Sequence, residues 1–326
     1  MNRKSLADKG AELTLFFVRP NVTPSRGIAP RAKEMKMERR LVGLIGANIM
    51  KSLSPRLIED CFAAAGLRGH YHLMDLDRLP GRGLADLFNG AKATGFIGLN
   101  ITRPCKEEII PMLDAVSPEA RETGAVNTVK IAPDGRTEGF NTDRIGFRIS
   151  VEERFGRDAV AGKPVVLVGA GGAGRAVAFA TLDLGVDPLL VFDVAADRAG
   201  RLTDELNRGG KGKARRIESL EEAIPSAAGV INATPIGMVG IGGNPVPANL
   251  VTAKHFAADV IYSPLETEFI KAAKRAGART MGGDGMLLHQ GVEAFRIFTG
   301  ITPDVSRIRA VLKEEFTKRA ELAATA

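Results

Sequence analysis

Glycines at positions 169, 171 and 174 have the G-x-G-x-x-G spacing of a loop that binds a dinucleotide. The apolar run 165–168 precedes this loop and a predicted helix follows it, which is the context that the motif requires. Gly169 would permit a tight turn, Gly171 the approach of a pyrophosphate, and Gly174 close packing of helix on strand. The free N–H groups at the start of the helix would bind the phosphates. The predicted cofactor loop comprises Gly169, Ala170, Gly171, Gly172, Ala173 and Gly174.

Two charged residues after the next predicted strand bear on which dinucleotide is bound. Asp193 follows the apolar run 189–192, about 20 residues beyond the glycine motif. A carboxylate there accepts hydrogen bonds from ribose hydroxyls and repels a 2′-phosphate, so we predict NAD rather than NADP. Arg198 leaves NADP open, because a nearby arginine can hold that phosphate. A solvent-exposed arginine is the competing interpretation.

Lys106 is a candidate for proton transfer. Pro104 is predicted to open a helix over residues 104–113, which places Lys106 in the first turn. A cation there opposes the helix macrodipole at a cost of about 0.3–1 kcal/mol. Because this environment favours the neutral amine, we expect Lys106 to exchange protons near neutrality. A surface lysine is the alternative.

Asp143 is the expected partner of Lys106, since an aspartate can orient an ammonium and accept a substrate hydroxyl. Spacing alone favours a different interpretation, in which Asp143 caps a turn or helix after a predicted hairpin. A further polar cluster, Lys51-Ser52-Leu53-Ser54-Pro55, lies between a predicted strand and a predicted helix.

Composition excludes several classes of protein. The 326-residue chain has a formal net charge of +7, of which residues 1–40 contribute +6, and no basic aromatic face accompanies this segment. We therefore expect no nucleic-acid binding. Cys61 and Cys105 have no metal-ligand spacing, so no metal is expected, and they are typical of a reduced, cytoplasmic protein. No apolar run approaches the roughly 20 residues that span a membrane.

The order of predicted elements indicates an α/β fold with two sheets. Strands at 41–46, 70–76 and 96–101 alternate with helices from Ser54 and Leu84, a βαβαβ order that implies parallel strands. A hairpin follows, with strands at 125–131 and 137–140. The later predicted strands are 165–168, 189–192, 230–232 and 258–262, and the later predicted helices are 173–184, 267–276, 285–298 and one capped by Thr302-Pro303-Asp304.

These elements predict an N-terminal αβα substrate domain at 41–145 and a doubly wound parallel-sheet Rossmann domain at 146–284. Helices at 285–326 are expected to pack back on the substrate domain. Residues 1–40 are predicted to be a disordered basic extension or an artefact of the assigned start, with Met35 or Met37 as alternative starts.

Several motifs occur in the order that is typical of one family. They are Ser-x-Ser-Pro at 52–55, Asn-x-Thr-x-Pro-x-Lys at 100–106, Gly-Ala-Val-Asn-Thr at 124–128, Asn-Thr-Asp at 141–143, Asn-Ala-Thr-Pro at 232–235 and Gly-Met-Leu-Leu-His-Gln at 285–290. With the glycine loop, these motifs resemble the shikimate dehydrogenase family over roughly residues 41–315. Asp193 and the runs 259–268 and 295–307 resemble its NAD-preferring quinate/shikimate branch. NADP-using members typically carry Asn-Arg-Thr/Ser at the position of Asp193.

The resemblance implies a reaction: NAD-dependent oxidation of the C3 hydroxyl of shikimate, and of quinate, to the 3-dehydro acid. It implies that Lys106 and Asp143 are the catalytic pair. Ser52 and Ser54 would bind the carboxylate. The ring and its hydroxyls would be positioned by Thr102, Asn127, Tyr262 and Gln290, and the nicotinamide side would be lined by Thr234, Val260 and Gly283. Lys51 departs from the family, since many members carry His there.

Three alternatives remain open. The first is an NADP-dependent biosynthetic shikimate dehydrogenase, and the second is a dehydrogenase of this architecture that acts on folates or amino acids. The third is a non-enzymatic family member that senses NAD, because fold and motif alone do not prove turnover. The expected partner is a small cyclic hydroxy acid, and assembly as a homodimer is also left open.

Overall fold

The structure is a computed structural model, and it describes residues 39–208, 210 and 213–325. Most of the predicted basic extension, residues 1–38, lies outside the described residues, whereas Arg39 and Arg40 already belong to the first strand. The described chain forms two six-stranded sheets. The domain limits near residues 145 and 284 stay predictions.

The first sheet contains the predicted parallel strands and the predicted hairpin. Its strands are β1 (Arg39–Gly46), β2 (Arg68–Asp75), β3 (Phe96–Ile101), β4 (Ala115–Val116), β5 (Thr128–Ile131) and β6 (Thr137–Phe140). The order across the sheet is β2-β1-β3-β5-β6-β4, with β1 parallel to β2 and β3 and with β5 antiparallel to both of its neighbours. Gly135 has φ +83° in the turn between β5 and β6, as the Pro-Asp-Gly signal predicts.

The second sheet is wholly parallel. Its strands are β7 (Val165–Val168), β8 (Leu189–Phe192), β9 (Ala214–Arg216), β10 (Gly229–Asn232), β11 (Phe256–Asp259) and β12 (Arg279–Met281). Their order, β12-β11-β10-β7-β8-β9, reverses direction between β7 and β10. This confirms the predicted doubly wound fold, in which ligands bind beside the reversal point. One boundary was wrong, because β11 ends before the predicted run 258–262 does.

Helices cover both faces of each sheet. They are α1 (Ser54–Ala64), α2 (Leu84–Ala93), α3 (Pro118–Thr123), α4 (Thr142–Phe155), α5 (Gly172–Asp183), α6 (Ala196–Arg208), α7 (Leu220–Ala223), α8 (Glu268–Arg275), α9 (Asp284–Thr299) and α10 (Val305–Thr325). Each sheet therefore has two hydrophobic cores, one on each face. The core that contains Leu57, Phe295 and Ile308 joins α1, α9 and α10 to the first sheet.

The helix α4 was not predicted, yet it connects the two halves of the molecule. It starts directly after β6 and packs along α9. At Gly146 the two helices approach so closely that a Cβ atom would lie 2.9 Å from the backbone nitrogen of Gln290. Glycine at this position therefore allows the N-terminal part of α4 to pack directly against the backbone of α9.

The predicted helix over residues 104–113 is wrong. Residues 103–109 form consecutive turns, followed by a 3-10 turn at Ile110–Met112. The carbonyl of Lys106 accepts a hydrogen bond of 2.8 Å from the backbone N–H of Val126 instead of from the helical donor four residues ahead. Pro111 has no N–H group to continue a helix. The macrodipole argument for Lys106 therefore does not apply.

The glycine loop has the backbone geometry that its motif predicts. Gly169 has φ +103°, a conformation that side chains other than glycine rarely adopt. A Cβ atom on Gly174 would overlap the carbonyl oxygen of Gly169, so the helix and the end of β7 are in backbone contact there. Gly171 and Gly172 instead face open space, where a ligand can approach.

We expect Gly174→Ala to lower the free energy of unfolding by about 3 kcal/mol, because backbone must move to accommodate the new methyl group. Urea unfolding checks this value. Gly200→Ala is the matched control, since Gly200 lies inside α6 with nothing near its Cβ position. That variant should gain about 0.5–1 kcal/mol from helix propensity. Equal stabilities of the two variants would contradict the packing role of Gly174.

Candidate active site

Lys106 and Asp143 form an ion pair although they lie 37 residues apart in the chain. The Nζ of Lys106 is 2.5 Å from Oδ2 of Asp143, and the side chains are 20% and 11% exposed. An ion pair this shielded from water is stronger than one on the surface. The structure therefore brings together the two residues that the sequence suggested as a proton-transfer pair.

The position of Asp143 depends on the N-terminus of α4. Asn141 is the N-cap residue, and its side chain accepts a hydrogen bond from the backbone N–H of Arg144. Its amide nitrogen donates to the carbonyl of Ala125 at 2.9 Å. Asp143 lies in the first helical turn, where a carboxylate is favourable to the helix dipole.

Asn127 is hydrogen-bonded to that same helical turn. Its Oδ1 accepts from the backbone N–H of Thr142 at 2.7 Å, and its Nδ2 donates to the Thr142 hydroxyl at 3.0 Å. Asn127 is buried, so these bonds are shielded from water. The residue predicted to bind substrate hydroxyls therefore also positions the segment that carries Asp143.

A buried polar network extends from Asn127 to Tyr71, which the sequence analysis missed. Asn100 donates to the Thr128 hydroxyl at 3.0 Å and to the Asn127 carbonyl at 3.2 Å. Its Oδ1 accepts from the Tyr71 hydroxyl at 2.9 Å. Burial raises the pKa of Tyr71, and a hydrogen bond with Ser54 opposes this increase. The signal in the sequence was an asparagine within β3, whose other residues are apolar, and a tyrosine within β2.

The serine loop is held by a second missed residue, Asp75. Its buried carboxylate accepts hydrogen bonds of 3.0 Å from the backbone N–H groups of Asn48 and Ile49. The hydroxyl of Ser52 accepts from the N–H of Ser54 at 3.2 Å. These bonds hold the loop, and Ser54 within it is hydrogen-bonded with Tyr71 at one end of the polar network.

Three further predicted substrate residues have less direct connections to the pair. Thr102 donates its backbone N–H to the carbonyl of Ile45, next to the serine loop. Tyr262 is partly buried against the core that contains α1 and α9. The side-chain amide of Gln290 donates to the Leu287 carbonyl of its own helix at 2.9 Å rather than toward Asp143.

Asp193 lies against the glycine loop, as its predicted role requires. Its Oδ2 accepts from the backbone N–H of Ala170 at 2.8 Å, and its Oδ1 accepts from the N–H of Ala195 at 2.8 Å. The guanidinium of Arg198 is 3.6 Å from the same carboxylate. Because Arg198 faces a negative charge here, its interaction with a 2′-phosphate would have to compete with Asp193.

The predicted nicotinamide-lining residues are next to this loop or to one another. A Cβ on Gly169 would lie 2.8 Å from the methyl carbon of Thr234, and one on Gly283 would overlap the carbonyl of Val260. Buried Asn232 accepts from the N–H of Thr234 at 2.9 Å.

Asn232 also donates to Asp259 at 3.1 Å. Burial raises the pKa of Asp259, and hydrogen bonds from the Ile261 backbone and the side chains of Thr267 and Asn232 oppose that increase. Asn232 and Asp259 therefore support the backbone on which the predicted nicotinamide-lining residues lie.

Two arginines that the sequence analysis did not consider connect the sheets. Arg144, in α4, donates to both carboxylate oxygens of Asp183 at 2.6 and 2.7 Å and to Glu122 at 2.7 Å. Arg175, in the first turns of α5, donates to the carbonyl of Thr123 at 2.7 Å. The helix α5, which begins in the glycine loop, is thus attached to the end of α3, four residues before Asn127.

Neither a metal cluster nor a membrane span is found in the described chain. Within residues 39–208, 210 and 213–325, no three His, Cys, Asp or Glu side chains are arranged to hold a metal ion. Among the described helices, none combines the length and apolar composition that crossing a bilayer requires.

Comparison with known proteins gives a consistent set of relatives. Residues 44–129 match the shikimate dehydrogenase substrate binding domain, and residues 283–313 match the shikimate 5′-dehydrogenase C-terminal domain. A quinate/shikimate dehydrogenase (NAD(+)) of Corynebacterium efficiens is 45% identical over 275 residues, covering 83% of this chain and 96% of the relative. A shikimate dehydrogenase (NADP(+)) of Streptomyces avermitilis is 44% identical over 286 residues, covering 86% and 97%. The solved structure of quinate dehydrogenase from Corynebacterium glutamicum in complex with NAD has a TM-score of 0.81 and 41% identity, covering 85% of this chain and 100% of that one.

The two tyrosines of the chain offer a matched test of the polar network. We expect Tyr71→Phe to lower the free energy of unfolding by about 1–3 kcal/mol, because Oδ1 of Asn100 loses its buried donor. Tyr262→Phe should cost less than about 0.5 kcal/mol, since no hydrogen bond to its hydroxyl is found among the described residues. Urea unfolding of both variants measures the difference. Equal losses would show that the Tyr71 hydroxyl is not part of a stabilising network.

Proposed function

Because this chain belongs to the shikimate dehydrogenase family, we propose that it reversibly oxidises the C3 hydroxyl of shikimate, and of quinate, with NAD. The observation that carries the proposal is the shielded ion pair of Lys106 and Asp143. A lysine and an aspartate in contact can exchange a proton with a substrate hydroxyl and hold it in place. A non-catalytic NAD sensor has no use for such a pair.

NAD, when bound, supplies the hydride acceptor. The residues of the cofactor site fit NAD. The glycine loop has open space at Gly171 and Gly172, and the carboxylate of Asp193, beside that loop, would accept hydrogen bonds from the ribose hydroxyls. Thr234, Val260 and Gly283 would face the nicotinamide. The NADP alternative is less favoured, because Asp193 repels a 2′-phosphate and already pairs with Arg198.

In the oxidation direction Lys106 accepts the proton of the C3 hydroxyl. The amine must be neutral to do so, and the pair therefore has to lose one proton before the step. Asp143 holds the hydroxyl and the lysine in register, and the resulting ammonium stabilises negative charge that develops on the substrate oxygen. This proton transfer uses the side chains of Lys106 and Asp143 and does not itself require a metal ion.

Substrate binding would use both ends of the polar network. Ser52 and Ser54 would donate to the carboxylate, and Thr102 and Asn127 would contact the ring hydroxyls. Tyr262 and Gln290 would close the pocket from the segment after β11 and from α9. Because the network is buried and fully hydrogen-bonded, the substrate would meet groups that are already oriented.

The location of the protein and its assembly are further proposals. Cys61 and Cys105 are buried thiols that form no disulfide, a state typical of the reducing cytoplasm. Burial raises the pKa of the Cys61 thiol to about 12, which keeps it protonated and unreactive. The homodimer stays a prediction.

Initial rates of the wild-type protein test the function directly. We expect turnover of both shikimate and quinate with NAD, with kcat/KM at least about tenfold higher than with NADP. Strong preference for NADP would overturn the cofactor assignment. If protein that binds NAD turned over neither acid, another substrate or the sensor function would have to replace the proposal.

Variants of Lys106 and Asp143 test whether these two residues form the catalytic pair. Lys106→Ala and Asp143→Asn should each lower kcat by about 10²–10⁴ and leave NAD binding intact. Lys130→Met removes a lysine from the exposed face of β5 and should change kcat less than twofold or so. Retention of wild-type kcat in Lys106→Ala would exclude the proposed base.

Cofactor selection rests on the charge of Asp193. We expect Asp193→Asn to raise kcat/KM with NADP about tenfold or more and to lower it with NAD, because the repulsion disappears and Arg198 becomes available to a 2′-phosphate. Steady-state kinetics with each cofactor measure the ratio. Asp197→Asn makes the same charge change at an exposed position four residues on and should leave the ratio unchanged. An unaltered ratio in Asp193→Asn would refute this role.

A further inference from the structure

Arg319 connects the last helix of the described chain to the serine loop. It lies in α10, beyond residue 313, where the match to the family C-terminal domain ends. Its Nη1 donates a hydrogen bond of 2.9 Å to the backbone carbonyl of Lys51. Lys51 is the residue directly before Ser52, so a partly buried guanidinium lies beside the predicted carboxylate ligands.

The charge of Arg319 has no acidic partner in the part of the chain that the structure describes. Three other cations of α10 do have acidic partners: Arg307 pairs with Asp60, Arg309 with Glu153 and Lys318 with Glu314. Arg319 instead donates to a neutral carbonyl. Its remaining N–H groups are thus available to an anion, with which a guanidinium forms charge-assisted hydrogen bonds.

Tyr262 interacts electrostatically with Arg319 on one side and with Tyr71 of the polar network on the other. Burial raises the pKa of the Tyr262 hydroxyl, and the positive charge of Arg319 opposes that increase. Tyr262 in turn acts on Tyr71, whose hydroxyl is hydrogen-bonded with Ser54. Arg319, Tyr262 and Tyr71 are therefore near enough to affect one another electrostatically, at the end of the network opposite Asp143.

The helix that carries Arg319 is fixed in place. Arg307 forms a two-bond contact with Asp60 of α1, at 2.8 and 2.9 Å, and Ile308 and Leu312 are buried in the core shared with α1. Arg56 of α1 is 3.4 Å from Glu315. Because α1 begins at Ser54, the serine loop and α10 form one rigid group, and the guanidinium is held ready for a ligand.

We propose that Arg319 is an additional ligand of the substrate carboxylate and makes the site selective for anionic cyclic acids. The guanidinium would form charge-assisted hydrogen bonds with the carboxylate that Ser52 and Ser54 bind with neutral donors. This inference rests on the proposed function, because it takes the carboxylate end of the pocket from the assignment of the two serines. Lys51 adds a second positive charge to the same end.

Steady-state kinetics of Arg319→Gln test the inference, with shikimate and its uncharged methyl ester as substrates. We expect KM for shikimate to rise about tenfold at nearly unchanged kcat, and KM for the ester to change less than about twofold. Arg319→Lys, which keeps the charge, should recover part of the loss. Lys318→Gln is the matched control: it removes the same charge from the adjacent residue, which pairs with Glu314, and should leave both KM values unchanged.

Equal increases in KM for acid and ester would overturn the inference. They would show that Arg319 only holds the loop in place, through its hydrogen bond to the Lys51 carbonyl. Unchanged KM values in Arg319→Gln would overturn it as well. Wild-type turnover, measured first, decides the proposed function separately. Calorimetric titration with shikimate tests the inference without turnover. An affinity of Arg319→Gln for shikimate about tenfold weaker than that of the wild type supports the inference. Equal affinities, or no binding to the wild type, overturn it.

Discussion

The ion pair between Lys106 and Asp143 is the contact on which the arrangement of the site depends, because neither residue is positioned by its own segment alone. Lys106 lies in a series of turns whose backbone is held by the N–H of Val126. Asp143 lies in a helical turn held by Asn127 and Asn141. Val126 and Asn127 are neighbours in the chain, so one short stretch of backbone and side chain fixes both members of the pair. A shift of that stretch would separate the two charges and leave each partly desolvated without a partner, which is costly.

The helix α4 transmits this arrangement to the rest of the molecule. Its first turn carries Asp143, its Arg144 joins α3 to the end of α5, and its Gly146 contacts α9. The serine loop is reached by another route, through the buried chain of Asn127, Thr128, Asn100 and Tyr71. Buried polar groups are costly when unpaired, and no buried side-chain N or O atom of the described residues lacks a partner. The network therefore orients polar ligands without a penalty for unsatisfied groups.

Asp193 contributes to the cofactor site in two ways. Its carboxylate accepts the N–H of Ala170 and so shapes the glycine loop, and its charge pairs with Arg198. In the proposed cofactor site, the same group would determine both the backbone that approaches the phosphates and the charge that meets the ribose. This explains how a sequence with an arginine near the ribose position can belong with relatives that use NAD.

The sequence by itself determined the two sheets, the glycine loop and the family, and it named Lys106 and Asp143, which the structure brings together. Those features are local: strands such as 96–101 and 165–168 follow from apolar runs, and the turn at Gly169 follows from glycine's freedom at positive φ. Tertiary structure decided the environment of Lys106, because the N–H of Val126 bonds to the carbonyl that a helix would have used. It also decided the existence of α4 as a connector, the role of Tyr71, and the proximity of Arg319 to Lys51, which is 268 residues away in the chain. Contacts over such distances depend on packing and burial, which no local pattern of residue types encodes.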